Sequence, residues 1–293
     1  MRAGQDIPYG WWAALFPVYT RFRFGGCDAR IEDAAVVVVG VPYYPTAGVR
    51  PVIDGPALIR YFSHEVEDNS LLVEGEFYSS VRCCDIGDVL PGSLERVGED
   101  LESTVARLLA MGKRVLILGG EHTFTYYAVR GARPRTVVVL DAHLDAREEL
   151  RGERLCYATF MRALAMEGPA ENVVYYGARA YSAEEEEVLR STGRRVVLAG
   201  CPGDLERVRE PVYLSIDLDV LDPSHMRLVQ APEPLGLGPS GVVEAMKALL
   251  GKDVVCVDVM ELSPYAIDIP SAALAARLAF EATLLLARSR GEV

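Results

Sequence analysis

The chain has 293 residues, half of them hydrophobic and a quarter charged, with a formal net charge of −12. That is the composition of a soluble globular protein long enough to bury a large core. The acidic balance excludes binding to a nucleic-acid backbone, since no basic stripe is available to release counterions, whereas an acidic cleft would draw in a small cation. Met1-Arg2-Ala3-Gly4-Gln5-Asp6 leads into no uninterrupted apolar region, so no secretory signal is expected and the expected location is cytoplasmic.

In chain order, the first thirty residues are aromatic-rich and irregular (Trp11, Trp12, Phe16, Phe22 and Phe24). They read as an N-terminal extension that packs on the body or at a subunit contact. Residues 35–43 form an apolar run that predicts a strand, and Gly55-Pro56-Ala57-Leu58-Ile59-Arg60 opens a helix. A shorter strand is expected over 84–89. Residues 94–111 carry Leu101, Val105, Leu108 and Leu109 at helical spacing and stop at Gly112. Further strands are expected over 114–118, 136–140, 173–177, 195–198, 212–217 and 254–260, and helices over 124–130, 159–166, 183–191, 241–250 and 272–288. The apolar stretch 272–287 contains Arg277 and Glu281 and reads as too short to span a bilayer, so no membrane partner is expected.

About eight strands result. Their continuous Val, Ile and Leu runs, rather than strict alternation, predict strands covered on both faces, as in a parallel sheet flanked by helices. No repeat or Pro/Ser-rich linker divides the chain, so residues 1–293 read as one domain. The six cysteines contain no Cys-x-x-Cys pair, and Cys83 and Cys84 are adjacent; inert or buried thiols are expected rather than a disulfide framework.

Six metal-ligand side chains fall at the ends of three of these strands. They are His122, then Asp141, His143 and Asp145, then Asp217 and Asp219. If the segments stay extended, Asp141, His143 and Asp145 share one face, and so do Asp217 and Asp219. Ligand sites in open α/β sheets lie beyond the carboxyl ends of strands. Four carboxylates and two imidazoles gathered there need cations to neutralise them. Oxygen ligands with a minority of nitrogen and no sulfur favour manganese or magnesium over structural zinc. Two such cations roughly 3.5–4 Å apart lower the pKa of a shared water, and the implied reaction class is hydrolysis by metal-bound hydroxide.

The segments Gly119-Gly120-Glu121-His122-Thr123, Asp141-Ala142-His143-Leu144-Asp145 and Ser215-Ile216-Asp217-Leu218-Asp219-Val220-Leu221-Asp222-Pro223 closely resemble the three signatures of the ureohydrolases, the arginase and agmatinase family. Weaker matches at 55–60, 85–89, Pro232-Glu233-Pro234 and Asp258-Val259-Met260-Glu261-Leu262-Ser263-Pro264 extend the resemblance over most of the chain. It implies a three-layer α/β/α fold with an eight-stranded, mainly parallel sheet and two Mn2+ per subunit. His122, Asp141, Asp145 and Asp217 would hold one metal, and Asp141, His143, Asp217 and Asp219 the other. Glu261, with Glu233, would engage a small cationic guanidino substrate; the implied catalytic set is Asp145, Glu261 and Tyr157. Glu121 reads as a supporting residue. The implied activity is agmatine-like: cleavage of a guanidino compound to urea and an amine, in a homotrimer or homohexamer. Alternatives on the same fold are a formimino or polyamine-linked guanidine substrate, or a silent homologue with a structural or regulatory role.

Two departures from the family pattern matter. Tyr157 stands where the agmatinase-like branch has its proton-donating His, in Cys156-Tyr157-Ala158-Thr159. A phenol with a pKa near 10 is a poor proton shuttle at neutral pH, and losing a general acid costs roughly 10²–10⁴ in rate. The remaining histidines are His64, read as a helix-surface residue, and His225, in the loop after a ligand strand. Leu235 replaces the first Gly after the Pro-Glu-Pro loop, and Gln230-Ala231 replace Gly-Thr, so the pocket wall is expected to differ.

Overall fold

The structure, a computed structural model, describes residues 18–19, 23–48, 50–76, 78–266 and 268–289. Trp11, Trp12, Phe16 and Phe22 lie outside the described residues. The elements in order are β1 (Val18–Tyr19), β2 (Val36–Val41), α1 (Gly55–Ser63), β3 (Cys83–Val89), α2 (Leu94–Ala110), β4 (Arg114–Gly119), α3 (Phe124–Ala132) and β5 (Thr136–Leu140). They continue with α4 (Phe160–Glu167), β6 (Asn172–Tyr176), α5 (Ala183–Ser191), β7 (Arg195–Ala199), β8 (Val212–Asp217), α6 (Pro239–Lys247), β9 (Val254–Met260) and α7 (Ile269–Arg288).

The strands form one sheet in the order β1-β3-β2-β4-β9-β8-β5-β6-β7. Every pairing is parallel except that of β1 with β3. The described sheet therefore has nine strands rather than eight, because the two residues of β1 add an antiparallel edge within the segment read as irregular. Successive side chains serve opposite cores. Val36 and Val38 pack with α1, α6 and α7 residues, while Val37, Val39 and Val41 pack with α2 and α3 residues. That division makes the three-layer α/β/α arrangement, and it is why the central strands β2, β5 and β8 are buried along their whole length.

Helix starts follow local chemistry. Asp54 accepts from Ala57 N at 2.7 Å ahead of Pro56, Ser93 accepts from Arg96 N at 3.2 Å, and Ser182 and Glu185 form a reciprocal cap. The α7 helix runs 20 residues, longer than the sequence reading, and is long and apolar enough to cross a membrane by length and composition. It packs instead as a core helix, lying against α1, β4 and β9 with 72% of its apolar window buried.

The cysteine expectation is corrected. Cys27 and Cys83 are disulfide-bonded, 56 residues apart in sequence. No local motif marks the pair. It arises because residues 27–29 run antiparallel beside β3, with Ala29 N on Cys83 O and Asp85 N on Cys27 O, each at 3.0 Å. Cys84, Cys156 and Cys256 are buried free thiols, but Cys201 is exposed. Phe24, from the same segment, is buried against Tyr78 and Phe280.

Candidate metal centre

The side chains singled out in the sequence come from four strands that are neighbours in the sheet: β4, β9, β8 and β5. His122 follows β4, Glu261 follows β9, Asp217 ends β8, and Asp141 follows β5. Glycine at position 120 allows the close approach: a Cβ there would lie 2.4 Å from Tyr43 O, and Gly120 O accepts from Glu261 N at 2.8 Å.

The backbone departs from the extended path assumed for these segments. Asp145 and Glu261 take φ values of 49° and 64°, in the left-handed region that non-glycine residues avoid. Strain of about 1–3 kcal/mol at such positions is characteristic of functional sites. Asp217 and Asp219 are brought together by a 3-10 turn over Leu218–Val220, in which Asp217 Oδ1 accepts from Asp219 N at 2.8 Å.

The result is two overlapping ligand groups. Ligand atoms of His122, Asp141 and Asp145 lie within 4.8 Å of one another, and so do those of Asp141, His143 and Asp219. Asp141 belongs to both. Asp217 Oδ2 joins the first group, 2.9 Å from His122 Nδ1, while Asp219 Oδ2 is 2.9 Å from His143 Nδ1. His122 Nδ1 and Asp141 Oδ2 are buried with no hydrogen-bond partner, although they lie 3.3 Å apart. Polar atoms this enclosed are ordinarily paired. A cation between them satisfies both, and hard oxygen donors with imidazole nitrogen suit manganese or magnesium.

The carboxylates and imidazoles of the cluster shift one another's proton affinities. Burial opposes a charge on His122, but the carboxylates of Asp141, Asp145 and Asp217 outweigh it and hold its pKa well above the usual imidazole value. Burial is likewise overcome at His143 by Asp141 and Asp219, and its pKa rises to about 12. Burial and the charge of Asp141 push Asp145 up to about 7. Cation binding is therefore expected to release protons from both imidazoles at neutral pH. Apparent metal affinity is expected to rise by about 10–100-fold per pH unit between pH 6 and 8, one factor of ten per proton released. Competition titrations with a chelator at fixed pH values check this; a pH-independent affinity contradicts it.

Behind His122 lies a support that the sequence reading missed. His122 Nε2 is 2.8 Å from Ser215 Oγ, whose hydroxyl donates to Asp258 Oδ1 at 2.6 Å. Because the serine proton goes to Asp258, its lone pair takes the Nε2 proton, leaving Nδ1 free for the cluster. Asp258 also accepts from Tyr213 Oη and Thr125 Oγ1 at 2.6 and 2.7 Å. The signal was available: Asp258 is the one charged residue in the apolar run Val254–Met260. Substitution Ser215→Ala is expected to weaken metal binding by about 10–100-fold, read by the same competition titration. Unchanged affinity would show that Ser215 does not orient His122.

A cleft of about 350 Å³ opens onto the cluster, lined by His122, His143, Asp145, Asp217 and Asp219, and also by Tyr157, Gln230, Ala231, Glu233 and Glu261. Glu261 Oε1 accepts from His122 N at 2.7 Å; burial and the nearby charge of Glu121 raise its pKa to about 8. Glu121 is itself taken up by Thr46 N and Oγ1, at 2.8 and 2.6 Å, and by Thr123, which makes it a supporting residue. Glu233 Oε1 lies 3.8 Å from His143 Nε2. The Glu233 loop is fixed by Arg179, whose guanidinium donates to the carbonyls of Glu233, Pro234, Asp219, Val220 and Gly177 at 2.8–3.2 Å. Leu235 sits 91% exposed with φ 63°, keeping the left-handed backbone that glycine adopts without strain. His64 and His225 are exposed and line no part of the cleft; His64 Nε2 lies 3.0 Å from Arg23 O.

Comparison with known proteins agrees with this arrangement. A model of the arginase family matches residues 34–285. The agmatinase of Pyrococcus horikoshii is 32% identical over 277 residues, covering 91% of this chain and 97% of that protein. An N(1)-aminopropylagmatine ureohydrolase from Thermococcus kodakarensis is 31% identical over 264 residues, covering 85% and 90%. The structure of Trypanosoma cruzi formiminoglutamase with Mn2+ superposes with a TM-score of 0.79 at 25% identity, covering 89% of this chain and 96% of that one. The chain belongs to the arginase family, on its agmatinase-like side, and is a hydrolase of guanidino or amidino compounds.

Proposed function

We propose that the protein is a binuclear manganese amidinohydrolase that cleaves a linear guanidino compound, with agmatine as the reference substrate, to urea and an amine. The observation that carries this reading is the pair of ligand groups sharing Asp141, with the buried His122 Nδ1 and Asp141 Oδ2 left unpaired between them. His122, Asp141, Asp145 and Asp217 would hold one cation, and Asp141, His143, Asp217 and Asp219 the other. When bound, the two cations supply Lewis acidity and lower the pKa of a water they share.

The remaining chemistry belongs to side chains of the cleft. Glu261, fixed by His122 N and by its own backbone bond to Gly120, presents its carboxyl group to the guanidinium, whose positive charge would hold it ionised despite its raised pKa. Glu233 stands beside His143 as a second acidic contact. Tyr157 lines the cleft, and on the sequence resemblance it would stand in for the family's proton-donating imidazole. Burial raises its phenol pKa despite the opposing charge of Arg151, so the hydroxyl holds its proton at neutral pH and transfers it slowly. The same reading carries one domain over residues 1–293, a cytoplasmic location and a homo-oligomeric state.

The test is a panel of agmatine, N(1)-aminopropylagmatine and a formimino compound with Mn2+ present, scored for urea against formamide or ammonia. Urea from a guanidine is expected. Formamide alone would move the assignment to a formimino substrate. Release from none of them, and none from a guanidino acid either, would favour a catalytically silent role.

A further inference from the structure

Resting on the amidinohydrolase reading, two cations in the same cleft bear on what the far end of the substrate carries. Arg147 and Arg151 line the cleft together with His143, Asp219, Glu233 and Glu261. Among the described residues, neither guanidinium makes a hydrogen bond or salt bridge with the protein. The metal-ligand carboxylates are buried, whereas Arg147 and Arg151 are exposed. The cleft is thus acidic at its floor and basic at its rim.

The rim is a built feature. Leu150 N and Glu153 N each donate to the other's carbonyl at 2.9 Å, closing a two-residue turn over Arg151 and Gly152. Both central residues have positive φ, 54° at Arg151 and 86° at Gly152. Such turns favour Asn-Gly or Asp-Gly, and a long side chain at the first position is disfavoured. Non-glycine residues held in the left-handed region gather at ligand clamps. Arg147 is anchored separately, its backbone N donating to Ala158 O at 3.1 Å beside Tyr157.

Among the described residues, no acidic side chain lining this cleft pairs with Arg147 or Arg151. Glu185 accepts from Ser182 N and Oγ and from Ala146 N; Asp145, Asp217 and Asp219 belong to the ligand groups; Glu261 holds His122 N; Glu233 faces His143. Two guanidinium groups with no partner among the described residues, above an acidic floor, call for an anion from the ligand. We infer that the substrate is a guanidino acid, with its guanidinium over the candidate metal centre and its carboxylate clamped by Arg147 and Arg151. Arginine is the side chain best matched to a carboxylate, through paired charge-assisted hydrogen bonds. The ammonium of agmatine would instead face two cations.

The experiment compares 4-guanidinobutanoate with agmatine on the Mn2+-loaded enzyme, in wild type, Arg147→Gln, Arg151→Gln and the double variant. Wild type is expected to favour the acid in kcat/KM by about tenfold or more. Each variant is expected to raise KM for the acid by about 10–100-fold with little change in kcat, shifting the acid-to-agmatine ratio toward agmatine. A wild-type preference for agmatine that the variants leave unmoved overturns this inference and leaves the amidinohydrolase reading standing. Absence of urea from every guanidine overturns that reading instead. Calorimetric binding of 4-guanidinobutanoate to the Mn2+-loaded protein then decides the inference: about tenfold weaker binding by Arg151→Gln supports it, and equal binding overturns it.

Discussion

Replacing Asp141 with alanine is expected to abolish urea release, a loss on the order of 10⁴-fold or more, because the proposed reaction depends on cations that this residue would help to hold. Asp141 belongs to both clustered ligand groups, and its Oδ1 also accepts from His143 N at 2.6 Å, fixing the turn that presents His143. One substitution therefore disturbs both cation positions. Urea release at saturating Mn2+ measures the effect. Thermal unfolding with and without Mn2+ separates it from misfolding: wild type should gain stability from the cation by mass action, and the variant should gain little while remaining folded. A variant that keeps both turnover and the full Mn2+-induced stabilisation would remove Asp141 from the site.

The second large effect runs in the opposite direction. Substitution Tyr157→His is expected to increase urea release by roughly 10²–10⁴-fold, the range a positioned general acid contributes. Tyr157 shares the cleft with the ligand groups and with Glu261, so an imidazole there reaches the same space. Burial keeps the tyrosine hydroxyl protonated above its ordinary range, whereas an imidazole titrates near 6.5. The gain should be accompanied by a new ionisation near neutral pH in the kcat profile. Unchanged or lower activity with a flat profile would show that Tyr157 does not stand in the proton-donor position.

Much of this arrangement was legible in the sequence, for physical reasons that particular residues make plain. The run Val36–Val41 is buried on both faces, so apolar continuity alone identified a central parallel strand. Asp141 and Asp217 announce themselves because charged residues at the end of such runs leave the core at the sheet's carboxyl edge. Spacing could not supply the lateral order β4-β9-β8-β5, which depends on crossovers between distant segments and decides that Glu261 joins the ligand residues. Nor could alternation place Asp145 or Glu261, whose left-handed backbones turn their side chains in ways an extended strand does not. The Cys27–Cys83 bond and the Arg179 fan escaped for the same reason, since each joins segments far apart in sequence.

The measurement that bears most directly on the central claim is a titration of Mn2+ into metal-free protein, following bound metal and urea release from a guanidino substrate together. Activity should be absent in chelator and should saturate at two Mn2+ per subunit. Full turnover by the metal-free protein in chelator, or saturation of both binding and activity at a single equivalent, would contradict the account.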